Sequence, residues 1–424
     1  MIERGHRTAG DLSWLSNLGH RTWLFDQAQR LLSFYQTSCL DPAGGFFELD
    51  NDGRPQQYPI RKLVVTSRMV HNFSLATLLG RPGAAPLVDH GIRFLRDVLR
   101  DRVHGGYYYS VDRGGVHAAS KQAYGHVFVL LAASSAMMAR RPGAEELFQD
   151  IVPVLESHFW READGLLAEE FNEDWSSRSS YRGQNANMHY VEALLTATEA
   201  TQDSSFLRRA ERIAEKLIHD LTARNHWRLA EHYNDRWEID PDYNRDDPDN
   251  MFRTFGSVVG HWVEWARLLL QIRAMSAQPA DWLLPAARRL FDGAMAEAWD
   301  RERGGLAHTV DFDGKILNPD RYQWVISEAI GAAARLVEVT GEPEYEHWYR
   351  TLWDYADRHL IDHVRGGWLY ALDAENRAKN VPDVIEAKPD LYHALQCCLI
   401  PLLPADAGIG ASLRDGKYCM PARQ

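Results

Sequence analysis

Six short segments recur along the chain at near-constant intervals, and this recurrence constrains the fold more than any other feature. They read GGFFELDNDG from Gly44, GGYYYSVDRGG from Gly105, DGLLAEEFNED from Asp164, NHWRLAEHYNDRW from Asn225, GGLAHTVDFDG from Gly304 and GGWLYALDAENR from Gly366. Successive starts lie 61, 59, 61, 79 and 62 residues apart. Each segment opens on a turn residue, alternates aromatic or apolar residues with polar ones, and closes near Asp or Asn. Alternation between turn residues is the pattern of a short hairpin. Unrelated glycine-rich loops would share no interval, so the segments mark six copies of one structural unit.

Between the segments, apolar residues follow helical spacing. The stretches that lead into them (21–39, 86–100, 144–159, 204–221, 281–299 and 343–360) are amphipathic and charged, as in YEHWYRTLWDYADRHL. The stretches that follow (61–79, 120–139, 185–201, 253–272, 322–340 and 390–403) carry long apolar or small-residue runs, such as VFVLLAASSAMMA. A helix apolar on nearly every side is buried, whereas an amphipathic one keeps a face in water. The pattern predicts twelve helices in two concentric rings, with the second set inside. That arrangement is an all-α (α/α)6 barrel with short β-hairpin excursions at one end. It is expected to be a single domain over residues 1–424, with its core at about 20–404. An open solenoid of the same pairs would need polar terminal caps, and the end stretches show none.

Composition narrows the partners. Lys plus Arg total 47 and Asp plus Glu 59, a formal net charge of −12. Such a surface repels polyphosphate and argues against nucleic acid. The longest nearly apolar stretch, 127–139, is too short to cross a bilayer and contains Ser134 and Ser135. The opening residues, MIERGHRTAG, hold no apolar signal-peptide core. Cys39, Cys397, Cys398 and Cys419 form neither a CxxC metal spacing nor a disulfide framework. The expectation is a cytoplasmic protein without a membrane partner, self-association being left open.

In such a barrel the excursions gather beside the starts of the inner helices. Reading the inner stretches there gives Arg68, Tyr124, His189, His261, Glu328 and His393, one polar group from each. One histidine near a helix start is usually a satisfied structural residue. Six polar groups at matching places in apolar surroundings point to a shared cavity. In RGQNANMHYVEALL, Asn185 is placed to cap the helix, with His189 one turn on and Glu192 three residues further. In FRTFGSVVGHWVEWARLLL, His261 and Glu264 stand at i and i+3, where a carboxylate can hold an imidazole in one tautomer. KPDLYHALQCC sets His393 three residues after Asp390, and RYQWVISEAIG sets Trp324 and Glu328 at i and i+4.

Two His-x-x-Glu pairs raise a metal site, since three histidines can converge on zinc. The Trp, Tyr and Arg around them favour a sugar pocket instead. Trp324, Phe255 and Tyr124 would stack on the apolar faces of a sugar ring, and Arg68, Asn185, Glu328 and Asp390 would bond its hydroxyls. No GxxxxGK[ST], GxGxxG or GxSxG string stands in the context that nucleotide binding or a hydrolase elbow needs. Glu264 and Glu328 leave glycoside hydrolysis open. The excess of histidines paired with carboxylates favours proton transfer near neutral pH.

At GQNANMHYVEA, GHWVEWARL and DLYHAL the chain resembles the N-acylglucosamine 2-epimerase superfamily, most of all its mannose isomerase and sulfoquinovose isomerase branch, over about residues 21–403. The resemblance implies an (α/α)6 barrel and a reaction that needs no metal and no other cofactor, through a cis-enediol or related intermediate. It implies that His393 moves a proton between C1 and C2. His261 would assist ring opening or act as the second acid/base, with His189 and Glu264 in support. Arg68, Asn185, Glu328 and Trp324 would hold a monosaccharide.

Three departures bear on which sugar. Sulfoquinovose isomerases carry a Trp four residues before the Arg that matches Arg68, where this chain has Val64. They carry a basic residue two positions before the match to Arg253, here Met251, and Gln before the match to Asp390, here Pro389. Losing these contacts weakens the grip on a sulfonate. The expected substrate is a neutral hexose, D-mannose, with D-lyxose tolerated. A sugar 2-epimerase, a sulfoquinovose isomerase and a non-catalytic sugar-binding toroid remain as alternatives.

Overall fold

Helices form where the periodicity places them: α1 (Leu18–Ser38), α2 (Leu63–Leu78), α3 (Ala84–Phe94), α4 (Ala123–Met138), α5 (Ala144–Val154), α6 (Gln184–Thr201), α7 (Ser204–Ala214), α8 (Val259–Met275), α9 (Leu283–Ala298), α10 (Gln323–Thr340), α11 (Pro343–Tyr355), α12 (Tyr392–Leu399) and α13 (Ile409–Arg414). The structure, a computed structural model, describes residues 13–56, 60–176, 179–248, 250, 253–379, 388 and 390–418. Helices α2, α4, α6, α8, α10 and α12 pack in sequence, and α12 returns to α2. The ring is closed, so the open solenoid is excluded. Nearly all of α4 and α8 is buried, whereas α7 buries only Phe206, Ala210, Ile213 and Ala214. The apolar helices are the inner ring of an (α/α)6 barrel and the amphipathic ones the outer ring. No helix among the described residues is long and apolar enough to cross a membrane.

Inner helices α2, α4, α8 and α10 start later than their periodicity suggests, because the residues expected to open them are strands. Arg61–Lys62, Lys121–Gln122, Arg182–Gly183, Ser257–Val258 and Arg321–Tyr322 each pair antiparallel with the excursion of the next unit. The pairing solves a local problem, since the first amides of a helix have no intrahelical acceptor. The Leu63, Ala123, Gln184, Val259 and Gln323 amides donate to the Tyr109, Glu169, Glu231, His308 and Tyr370 carbonyls at 2.8–3.1 Å. The Lys388 amide donates to the Leu49 carbonyl at 3.1 Å, tying the last unit to the first. The largest departure from the expected boundaries is residues 253–258, which precede α8 as loop and strand. Helix α13 was outside the twelve-helix pattern; it packs across the far end of the barrel on α2, α4 and α6.

Outer helices α3, α5, α7 and α11 widen into π-helical turns, Leu95–Leu99, Leu155–Phe159, Glu215–Thr222 and Ala356–Leu360. Four of the six units then share an ion pair, buried in all but the Asp300 pair, where the carboxylate is partly exposed. Asp41, Asp101, Asp300 and Asp362 meet Arg61, Lys121, Arg321 and Lys388 at 2.6, 2.7, 2.6 and 2.8 Å. The same aspartates cap the turn that follows; Asp101 Oδ1 accepts the Val103 and His104 amides at 2.9 and 3.0 Å. Arg61, Lys121 and Arg321 come from the strands that lead into inner helices, and Lys388 from the bridge to Leu49 ahead of α12, so the pairs lock excursion and helix approach together.

Lys121 and Asp101 have no side-chain exposure. Lys121→Met keeps the aliphatic stem but leaves a buried carboxylate without its counter-charge, a loss of about 3–5 kcal/mol. Urea unfolding should show that drop, and Asp101→Leu combined with Lys121→Met should recover part of it. A single variant as stable as the native protein would contradict the role given to the pair.

Candidate active site

The inner-helix starts bring most of the expected residues together. Arg68 Nη2 donates to the Tyr124 hydroxyl at 2.8 Å and Nη1 to Asp390 Oδ2 at 3.3 Å. Its guanidinium lies 4.4 Å from the Phe128 ring centroid and 4.7 Å from that of Tyr392. Asp390 also accepts the Tyr392 amide at 2.8 Å, so it steadies both Arg68 and the start of α12. The Tyr124 and His189 rings are 5.3 Å apart.

Two imidazoles flank one indole. The Trp324 ring centroid is 5.2 Å from His261 and 5.8 Å from His393. Gly260 makes this possible, because a Cβ there would meet the Trp324 ring at 2.2 Å. His393 Nδ1 bonds Glu328 Oε1 at 2.8 Å. His261 Nδ1 lies 2.9 and 3.0 Å from the two oxygens of Glu231. A carboxylate on Nδ1 fixes the tautomer and leaves Nε2 to exchange a proton with a ligand. Gln184 holds Glu231 in turn, donating to it at 2.8 Å and accepting the Trp265 indole N–H at 2.8 Å.

The pairing of His261 corrects the expectation from spacing, which gave it Glu264. Glu264 stands against His189 and Arg267 instead. Its Oε1 is 3.6 Å from His189 Nδ1 and 3.8 Å from Arg267 Nη2. Arg267 sits among three glutamates: Nε donates to Glu328 at 2.7 Å, and Nη2 reaches Glu192 at 3.4 Å. The Tyr392 hydroxyl donates to the other Glu192 oxygen. Asn185 does not cap α6; Gly183 holds that position, and the Asn185 Oδ1 is buried without a hydrogen-bond partner. Phe255 stands in the loop before α8, with the Arg245 guanidinium 5.5 Å from its ring centroid. Val64 is buried on α2 one turn before Arg68; Met251 and Pro389 lie outside the described residues.

Electrostatics divides the carboxylates. Burial pushes Glu264 well above the ordinary carboxyl range, and the neighbouring Glu328 charge adds to this while Arg267 opposes it. Burial also acts on Glu328, but Arg267 and His393 outweigh it and hold its carboxyl low. Glu192 is held down at about 2 against its burial, by the His189 imidazole 3.7 Å away and the Arg267 charge. Burial lowers His189 to about 4, so it is neutral at physiological pH. His189, Glu192 and Glu264 form one group with metal-ligand proximity, and Glu264, Glu328 and His393 another. The Arg267 guanidinium already supplies the positive charge that these carboxylates require.

Glu231, Gln184 and Arg267 were not among the expected site residues. Arg267 had a signal, a single arginine inside the apolar run of α8. Glu231 had a weaker one, an acidic residue flanked by Ala and His in the fourth excursion.

An (α/α)6 barrel with histidine–carboxylate pairs at the inner-helix starts is the frame of a sugar epimerase or isomerase. The chain belongs to the N-acylglucosamine 2-epimerase (GlcNAc 2-epimerase) family, whose sequence profile matches residues 44–397. It is 42% identical to a D-mannose isomerase of Thermobifida fusca over 402 residues, covering 94% of this chain and 98% of that one. A D-mannose isomerase of Pseudomonas cannabina pv. alisalensis is 40% identical over 408 residues, with 95% and 97% covered. Among solved structures, a D-mannose isomerase superposes with a TM-score of 0.85 at 36% identity, covering 90% of this chain and 97% of that one. A cellobiose 2-epimerase from Spirochaeta thermophila shares the fold, with a TM-score of 0.78 at 24% identity over 90% of this chain and 95% of that one.

A carboxyl whose folded pKa lies above its ordinary value takes up a proton on folding, so stability falls as pH rises through that interval. For Glu264 the fall begins near 4.5 and runs up to the raised value. Glu264→Gln removes this slope. Its stability relative to the native protein, followed by urea unfolding, should therefore grow steadily as pH rises above 4.5. A pH-independent difference would contradict a protonated Glu264.

Proposed function

We propose that the protein is an aldose–ketose isomerase that interconverts D-mannose and D-fructose, with the whole barrel as its single catalytic domain. The observation that carries this reading is the pair of imidazoles, each fixed through Nδ1 by a carboxylate, on either side of the Trp324 indole. Similarity to the D-mannose isomerases supports the substrate. A neutral sugar also suits Val64 next to Arg68.

In the proposed mechanism the His261 imidazolium, oriented by Glu231, gives its Nε2 proton to the ring oxygen and takes the O1 proton in exchange, and the pyranose opens. Nε2 of His393 then takes the C2 proton of the open-chain aldose while His261 gives its proton to O1, and a cis-enediol forms. The His393 imidazolium returns its proton to C1 while the now neutral His261 takes the O2 proton, which leaves the 2-ketose and both imidazoles as they began. Atoms and charge balance without a metal or redox partner. Arg68, with Asp390 and Tyr124, and Asn185 hold the hydroxyls; Trp324 supports the ring. Buried Cys39, Cys397 and Cys398 carry free thiols, which accords with action on a free sugar in the reducing cytoplasm.

Incubation with D-mannose in the presence of chelator, followed by product analysis, tests the reading. Fructose is expected, and D-lyxose, with the same C2 configuration, should give D-xylulose. Glucose alone would make the protein a 2-epimerase; no product would overturn both. Relative to sulfoquinovose, mannose should have the higher kcat/KM, and the reverse order would overturn the choice of sugar.

His393→Asn should lower kcat by at least about 10²–10⁴-fold, the range for loss of a general acid/base. Sugar binding should be largely kept, because the proton carrier acts in the transition state more than in the ground state. Near-native turnover in this variant would show that another group carries the proton.

A further inference from the structure

The six units are not equivalent on the outside of the barrel. Five excursions open on a glycine at positive φ: Gly44, Gly105, Gly165, Gly304 and Gly366. At the matching place in the fourth stands Trp227 at φ 64°, preceded by His226 at φ 55°. A bulky side chain rarely adopts this left-handed conformation. At three of the glycine turns an aromatic ring from the neighbouring outer helix packs on the glycine: Phe94 on Gly44, Tyr355 on Gly304 and Phe34 on Gly366. Phe34, Phe94 and Tyr355 each stand seven residues before the turn aspartate of their own unit, Asp41, Asp101 and Asp362. The residue seven before Asp300, on α9, is Gly293.

Small and large have changed places at this one junction, yet the exchange does not fill the space. A cavity of about 700 Å³ remains between the Trp227 turn and α9, with Trp262 and Gly293 in its wall. That volume is within the range of small-molecule sites. Its charged lining is balanced: Arg288 and Arg289 against Asp292 and Glu297. Part of it is already paired, Glu297 with Arg228 at 3.0 Å and Arg288 with Glu342. Balanced charge gives an anion or a cation no net attraction. An indole face beside alternating donors and acceptors suits a ligand with an apolar face and a hydroxyl rim.

We propose that this cavity is a second, non-catalytic sugar-binding site, in which a neutral pyranose stacks on Trp227 and bonds the charged rim through its hydroxyls. The site lies on the outer ring and uses none of the residues placed in the isomerisation machinery, so it stands whether or not the chain turns over mannose. The strained aromatic at the turn is then accounted for by the ligand it contacts. Filling the cavity from the other side should abolish binding. A Cβ at Gly293 would meet Trp262 at 3.4 Å, ordinary contact, so Gly293→Phe restores the ring found in three other units without a backbone clash.

The test uses the full chain labelled with 5-fluorotryptophan, with the Trp227 resonance assigned by its loss in Trp227→Phe. Methyl α-D-mannopyranoside is the probe, because its blocked anomeric carbon prevents turnover. In the native protein the Trp227 signal should shift saturably with the probe. In Gly293→Phe that shift should vanish, while kcat/KM for D-mannose remains within twofold of native. No saturable shift in the native protein would overturn the proposal, and so would an equal shift in Gly293→Phe. If Gly293→Phe does not fold, Arg289→Ala replaces it, with a weakened shift expected and an unchanged one contrary.

Discussion

One buried guanidinium organises the middle of the barrel. Arg267 is 4% exposed, and Glu192, Glu264 and Glu328 come within 2.7–3.8 Å of it. Three ionised carboxylates around one cation in a low-dielectric interior would repel each other strongly. The surroundings divide the three: burial and the Glu328 charge push the Glu264 carboxyl up, while Arg267 helps to hold those of Glu192 and Glu328 down. The division has a chemical consequence. Glu328 stays an acceptor for His393 Nδ1, and Glu192 accepts from the Tyr392 hydroxyl beside it. The charge that Arg267 places deep in the core therefore acts on His393 through Glu328, the carboxylate on its Nδ1.

The fold supplies the positions from which these groups act. Inner helices α2, α4, α6, α8 and α10 are each pinned at the start by an amide bonded to the excursion of the next unit, Lys388 ties the approach to α12 to the first excursion, and four units add an ion pair. The candidate site is built on the first turns of the inner helices, beside these anchors. His261 extends the same logic, since Glu231, its partner, lies in the excursion whose carbonyl receives the first amide of α6. Backbone closure of the barrel and orientation of an imidazole are achieved by one residue.

Much of this was legible in the sequence. Four of five intervals close to sixty residues, two kinds of helix and one polar residue near each inner-helix start were enough for the architecture and for the grouping of Arg68, Tyr124, His189, His261, Glu328 and His393 in one region of it. The failures are instructive. The i, i+3 rule states which side chains share a helix face, and His261 and Glu264 do so; it cannot show that a carboxylate thirty residues earlier, Glu231, competes for the same nitrogen and wins. Asn185 had the composition of a cap, but the strand pairing at Arg182–Gly183 had already satisfied the helix start. Phe255 was assigned to α8 by periodicity that ran on through the longer loop created by the 79-residue interval.

The central claim is that the Arg267–Glu328 pair fixes His393 with its proton on Nδ1. Nitrogen-15 NMR of the protein labelled in its imidazoles, with the His393 signals assigned by their loss in His393→Asn, reads this directly. At pH values where His393 is neutral, the account predicts a protonated Nδ1 and a bare Nε2, and a mixture of the two tautomers in Glu328→Gln. A native His393 with its proton on Nε2 would contradict the account.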